Sequence, residues 1–216
     1  GVAFPTPRPQ RPRPAYLQTL GLDWDEGNVI YGIAARIDPV KDMTTLVKAF
    51  ARTVEACPEA RLLIAGIGDQ EQEIRSLAAQ LCPEGTVCFA GWVSDMNSFY
   101  HALDVNMLTS ISETFSYAIT EGARMHCATI CTPVGGLPRV VIDDQTGFLV
   151  NVGDYEQMAQ RMIALARDPK LRSRLGTAIY EKVRSEFSAE AMGRRQEEIY
   201  RTFLNRKERA AQGRYG

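Results

Sequence analysis

Two carboxylates, Glu113 and Glu121, stand eight positions apart in the stretch ETFSYAITE, with no other charge between them. On one continuous helix the second would lie about 80° round from the first and roughly 12 Å along the axis, too far for an acid–base pair acting on a single bond. Two cations, Arg36 and Lys41, stand five apart in ARIDPVK across a loop that contains Pro39. One is a planar fork and the other a point charge, a combination that suits a diphosphate, although a solvated loop would look the same. In AGIGDQ, Gly66 and Gly68 permit close backbone approach just before a helix. A lone GxG is weak evidence, because glycine is common at strand ends. In AGWVSD, the residues Gly91, Trp92 and Val93 offer backbone groups and an apolar edge to a base, with Ser94 or Asp95 capping the next helix; a capped turn around a core tryptophan is the plainer alternative. Ser110 and the run Glu113, Thr114, Phe115, Ser116 stand where another helix is expected to begin, and amides exposed at such a start favour a phosphate. A glutamate there also simply stabilises the helix.

Other chemistries find little support. The five cysteines, Cys57, Cys82, Cys88, Cys127 and Cys131, are odd in number and contain no CxxC pair, so reduced thiols are expected rather than a disulfide frame or a zinc site. His101 and His126 are the only histidines, and both are expected to be packed or surface residues; no metal site and no Ser-His-Asp arrangement is expected. The net charge of -1 gives no global attraction for nucleic acid or for an anionic membrane. No run approaches the ~18 uncharged apolar residues of a membrane span, and the start GVAFPTPRPQ lacks the apolar core of a signal peptide. A soluble, cytoplasmic protein is expected.

These residues need elements to position them, and the sequence supplies an alternation. NVIYGIAARI, ARLLIAGIG, TVCFAGWV, DVNMLTS, ATICTPVGG and the short TGFLV read as strands, the longer ones nearly continuous in apolar residues. Between them, DMTTLVKAFARTVEAC places Met43, Leu46, Val47, Phe50 and Val54 at helical spacing, a helix is expected from about Gln70 to Leu81, and DMNSFYHAL gives a short one. The last third, from DYEQMAQRMIALARD onward, is almost entirely helical in pattern. Apolar strands separated by helices imply a parallel sheet covered on both faces. The expected fold is a single α/β domain: a Rossmann-like, doubly wound parallel sheet of about six strands with a helical carboxy-terminal third. Such sheets bind ligands at the carboxyl ends of their strands, where the residues above fall. Residues 1–15, rich in proline and arginine, are expected to be an extended linker, or less plausibly a motif for an aromatic-lined groove; 16–204 form the domain and 205–216 a polar tail.

From about residue 28 to residue 204 the sequence resembles the carboxy-terminal, donor-binding domain of the retaining GT-B glycosyltransferases of family 4, the glycosyl transferases group 1. The resemblance is carried by ARIDPVK, LLIAGIGDQ, FAGWVSDM, SISETFSYAITEGA and TPVGGLPRVVIDDQTGFLV, in the family's order. It implies one half of a GT-B fold. It also implies that Arg36 and Lys41 bind the donor's diphosphate, Glu113 the hydroxyls of the transferred sugar and Glu121 the ribose, so that the two glutamates grip the two ends of a sugar nucleotide. Amides around Thr114, Phe115 and Ser116 would meet the distal phosphate, and Trp92 and Val93 would line the base site. The implied function is transfer of a hexose from an NDP-sugar, UDP- or GDP-linked, to a hydroxyl acceptor on a glycan or lipid. It would proceed with retention, without a protein nucleophile, metal or cofactor, with Arg36, Lys41 and Glu113 carrying the catalysis.

Four positions depart from the family's usual pattern: Asp42 and His126 where glycine is common, Ala128 where proline is, and Arg139 where an acidic residue is. The acceptor half of a GT-B enzyme is absent from the sequence, so a fragment inactive by itself is expected, its acceptor and any membrane contact lying with the other half. Two alternatives come from other classes. A dinucleotide-binding or non-catalytic Rossmann module would want G-x-G-x-x-G after the first strand, where AARIDPVK stands. A helical interaction scaffold would use RRQEEIYRTFLNRKER, which otherwise reads as a surface helix.

Overall fold

In the computed structural model, which describes residues 2–4 and 8–212, six strands run parallel in one sheet. They are β1 (Val29–Ala34), β2 (Ala60–Ala65), β3 (Val87–Gly91), β4 (Val105–Leu108), β5 (Ala128–Cys131) and β6 (Phe148–Leu149), in the spatial order β3-β2-β1-β4-β5-β6. The direction of winding reverses between β1 and β4, which pair through Tyr31 with Val105 and Gly32 with Asn106. That reversal opens a crevice at the carboxyl rim.

The period of two along β1 assigns its side chains to the two faces. Tyr31 faces α2 (Met43–Ala56) and α7 (Tyr155–Arg167), and its hydroxyl donates to the Met162 carbonyl at 2.7 Å. The apolar spacing expected of α2 is realised: Met43, Leu46, Val47, Phe50 and Val54 are all buried. α3 (Glu71–Leu81) packs beside it. On the opposite face, Ile30 and Leu63 join a second apolar cluster with Tyr16 and Leu17 of α1 (Arg13–Thr19) and Phe99 and Tyr100 of α4 (Met96–His101). Asn106, fully buried in β4, donates to the Ala118 carbonyl of α5 (Tyr117–Arg124) at 2.9 Å. A short α6 (Leu137–Val140) follows β5, and α8 (Pro169–Glu186) and α9 (Ala189–Gln212) complete the helical third. The expected doubly wound sheet is present.

Three local features differ from expectation. The described part of the proline-rich start lies against the domain: Val2 bridges to Ser188, the Arg11 amide donates to Ser98 Oγ at 2.9 Å, and α1 begins at Arg13. Residues 1 and 5–7 of that segment, and 213–216 of the expected tail, lie outside the described residues. Helix α9 runs through 205 to Gln212 where a tail is expected. Helix α5 starts at Tyr117 rather than near Glu113, because Ser116 takes an extended conformation and its Oγ accepts from the Ile119 amide at 3.4 Å. Glu113 therefore precedes the helix that carries Glu121, and the geometry of one continuous helix does not apply to this pair.

Candidate functional site

The loops after β1 and β2 are zipped together. Ile37 donates to the Ile67 carbonyl at 3.0 Å, and Gln70 to the Ile37 carbonyl at 3.1 Å. Gly66 and Gly68 make this possible: a Cβ at Gly66 would stand 1.8 Å from the Ala35 oxygen, and one at Gly68 2.2 Å from the Ile37 oxygen. Their close approach is thus to the neighbouring loop. Gly66 also lines the cavity described below, whereas Gly68 does not.

A 3-10 turn, Pro39–Lys41, aims Lys41 across the rim. Two bonds dock it onto the end of β4: Thr109 Oγ1 donates to the Lys41 carbonyl at 2.6 Å and the Ile111 amide to the Val40 carbonyl at 2.8 Å; Thr132 Oγ1, donating to the Ser110 carbonyl at 2.6 Å, ties that end to the end of β5. Lys41 Nζ pairs with Glu113 Oε1, which also accepts from Ser110 Oγ at 2.8 Å. Both partners of that ion pair are mostly buried, at 17% and 12% side-chain exposure. Arg36 behaves differently, pairing with Asp38 at 3.0 Å while 79% exposed. Thr109 and Thr132, which hold the rim, are not singled out by the sequence reading; the available signal was a hydroxyl at the end of each of two apolar strands.

A cavity of about 510 Å3 occupies the crevice, lined by Arg36, Gly66, Trp92, Val93 and Glu121 among the expected residues and by Ile67, Tyr100 and Ala118 beyond them. Trp92 is 79% exposed, so it is no core residue. Burial raises the Glu121 carboxyl above its ordinary pKa, opposed by Arg124 and by a hydrogen bond from Tyr100. Tyr100 is in turn pushed up, chiefly by its own burial and then by the Glu121 charge.

The structure thus divides the expected site. Arg36, Gly66, Trp92, Val93 and Glu121 share the cavity; Lys41 and Glu113 form an adjoining pair on the same rim. Thr114 and Phe115 line a separate hollow, and Ser116 is buried as the cap of α5. The Gly135-Gly136 turn abuts the Glu113–Thr114 backbone, with the Gly136 amide donating to the Thr114 carbonyl at 3.1 Å; a Cβ at Gly135 would come 1.5 Å from the Glu113 oxygen. His101 is exposed at the end of α4, and the His126 ring stacks on Tyr180 at 4.0 Å. All five cysteines are free thiols. No helix among the described residues is long and apolar enough to cross a membrane.

Comparison with known proteins agrees with this geometry. The family model for glycosyl transferases group 1 matches residues 21–182. N-acetyl-alpha-D-glucosaminyl L-malate synthase of Bacillus anthracis is 32% identical over 161 residues, covering 74% of this chain and 42% of that protein. The capsular polysaccharide biosynthesis glycosyltransferase CapM of Staphylococcus aureus is 29% identical over 182 residues, covering 84% and 48%. This chain therefore spans less than half the length of either relative. Among solved structures, the C-terminal domain of a glycosyl transferase group 1 family protein (LpcC) from Francisella tularensis superposes with a TM-score of 0.78 at 24% identity, covering 88% of this chain and all of that one. Anabaena HepE in complex with UDP gives 0.78 at 20% identity, covering 87% and 52%. With the switch-point cavity, the parallel sheet order and the family match in agreement, the chain belongs to the glycosyl transferases group 1 and has the fold of the C-terminal half of a GT-B enzyme.

Proposed function

We propose that this chain is the donor-binding half of a retaining hexosyltransferase that takes its sugar from a nucleoside diphosphate. The observation that carries the reading is the cavity at the topological switch, where Arg36 from the loop after β1, Trp92 and Val93 from the loop after β3 and Glu121 from α5 converge. Solved structures of the same fold hold UDP, which supports a nucleoside diphosphate as the donor's leaving group. The base rests against Trp92 and Val93, and ribose hydroxyls donate to Glu121. Arg36 meets the diphosphate. Exchanging its exposed pair with Asp38 for a phosphate costs little, since such surface pairs are worth about 0–1 kcal/mol.

Lys41 stands at the sugar end. Both side-chain bonds to the Glu113 carboxylate among the described residues go to Oε1, which leaves Oε2 for sugar hydroxyls, while Lys41 lends its charge to the departing phosphate. Positive charge held in place before the reaction stabilises the leaving diphosphate more than the intact donor. The reading needs neither a protein nucleophile nor a metal. The acceptor hydroxyl approaches from the face the sugar leaves, carried by a second domain, so this chain alone transfers nothing. The shorter span relative to the curated relatives supports that division.

Calorimetry with UDP, GDP and ADP tests the proposal. Binding of one of these is expected, with Glu121→Ala weakening the nucleotide about tenfold or more, and Glu113→Ala weakening the intact NDP-sugar while sparing the free nucleotide. A chain that ignores all three nucleotides but binds a nicotinamide dinucleotide would sink the reading in favour of a dinucleotide module.

A further inference from the structure

Lys41 closes a single 3-10 turn, and Glu113 stands in the irregular stretch between β4 and α5. A side chain carried by a loop swings among rotamers unless its neighbours lock it. At the ends of two paired strands stand three hydroxyls that no solvent reaches: Thr109 and Ser110 after β4, and Thr132 after β5. A buried hydroxyl costs free energy unless it is bonded, so what each of them bonds to is informative.

Each serves the ion pair or its support. Ser110 Oγ donates to Glu113 Oε1 at 2.8 Å, the same oxygen that meets Lys41 Nζ. Ser110 is itself held by β5: Thr132 Oγ1 donates to the Ser110 carbonyl at 2.6 Å, and the Thr132 amide donates to the Leu108 carbonyl at 3.1 Å. Thr109 Oγ1 fixes the backbone of Lys41. The backbone beyond Glu113 is fixed separately, by the Gly136 amide on the Thr114 carbonyl at 3.1 Å.

Resting on the donor reading above, in which Glu113 receives the sugar, we propose that Ser110 is the positioning residue for Glu113, and that Thr132 acts through it. A carboxylate oxygen has about two acceptor positions, and Ser110 with Lys41 fills both on Oε1. The carboxylate is thus ordered before a sugar arrives, so less conformational freedom is lost when Oε2 accepts from it. Without the Ser110 hydroxyl, Glu113 keeps, among the described side chains, only Lys41, whose flexible stem moves with it. The loss then falls on the sugar and not on the nucleotide.

Calorimetry on this chain compares UDP with UDP-glucose and UDP-N-acetylglucosamine, and GDP with GDP-mannose. The quantity read is the ratio of sugar-nucleotide to free-nucleotide affinity for the tightest pair. Ser110→Ala is expected to lower that ratio about fivefold or more, with free-nucleotide affinity kept within about twofold. Added to Glu113→Ala, the same change should lower it no further, because the two residues act as one unit. Thr132→Val should lower the ratio in the same direction, and Thr132→Ser, which keeps the hydroxyl, should not. In the ligand-free chain, NMR side-chain couplings of Glu113 should report one χ1 rotamer in the parent and averaging in Ser110→Ala. The proposal is overturned if Ser110→Ala leaves the ratio unchanged, if it weakens the free nucleotide as much as the sugar nucleotide, or if its effect adds in full to that of Glu113→Ala. It is also overturned if Thr132→Ser and Thr132→Val behave alike, or if the Glu113 couplings are the same in parent and Ser110→Ala. Failure of every nucleotide to bind, with the change in Glu113 couplings intact, would instead remove the donor reading and leave Ser110 as the residue that holds Glu113.

Discussion

Glu121 illustrates how one side chain links binding to stability. Burial holds its pKa above the ordinary value near 4.5, so the folded state keeps the proton to a higher pH than the unfolded chain does. Its contribution to stability is therefore fully present below that ordinary value and is lost as pH rises through the folded one. Thermal midpoints of the parent and of Glu121→Gln, compared from about pH 4 to about pH 7, should diverge in favour of the variant as pH rises. Parallel curves would show that the carboxylate is not penalised by its surroundings. The same position should then lose nucleotide affinity, the usual sign of a group placed for a ligand rather than for the fold. His126 has a structural explanation in the same terms. It occupies φ +60 just past α5, where its amide donates to the Ala123 carbonyl and the Cys127 amide to the Gly122 carbonyl. That is the left-handed helix ending glycine normally fills. The stack on Tyr180, worth about 0.5–1.5 kcal/mol, offsets much of the roughly 1–2 kcal/mol conformational cost.

At the scale of elements, the helices whose apolar residues recur at 3.6 were legible to within a residue or two: α2 and α3 fall where their spacing places them. α5 was not. Its sequence is apolar enough from Glu113 onward to read as helix, and the bond that the Ile119 amide donates to Ser116 Oγ ends the preceding loop where it does. Asp42 shows the same local competition. It stands at φ +45 and caps α2, its Oδ1 accepting from the Thr45 amide at 3.2 Å. Asp42→Ala loses the cap and keeps the strained backbone, so a loss of about 1–2 kcal/mol is expected in urea unfolding. Asp42→Gly relieves the strain as it loses the cap and should stay within about 0.5 kcal/mol of the parent. Equal losses in the two variants would contradict this account of why aspartate replaces glycine there. Ala128 is simpler: as the first residue of β5 it donates its amide to the Asp104 carbonyl at 3.1 Å, a bond proline cannot make.

Across the whole molecule, the amino-terminal segment contributes more than its composition suggests. Arg13 pairs with Asp104 at 3.1 Å and donates to the Asn28 carbonyl at 2.7 Å, and Asp104 also accepts from the Ile30 amide at 2.8 Å. One side chain thus ties α1 to β1 and to the start of β4. With only 18% of that side chain exposed, Arg13→Ala should cost about 2 kcal/mol in denaturant unfolding. A change under about 0.5 kcal/mol would mean that the segment rests on the domain without supporting it. Proline and arginine repeats mark such a stretch as extended, and Pro12, just before α1, has that conformation; what Arg11 and Arg13 touch depended on acceptors about ninety residues away.

The sequence by itself determined the class of fold, the six strands, the major helices and the set of residues at the strand ends, because the periodicity of buried side chains is a local property written along the chain. Its motifs, through the resemblance they carry, also implied one site for Arg36, Trp92, Val93 and Glu121, with Lys41 and Glu113. Only the tertiary structure decided that Lys41 pairs with Glu113, that Gly66 and Gly68 serve the meeting of two loops, that Phe115 turns away to a different hollow, and that Arg139 and Arg195 line that hollow together. Those outcomes depend on which segments the folded sheet brings side by side, and distances through space between residues tens of positions apart are not encoded in any local pattern.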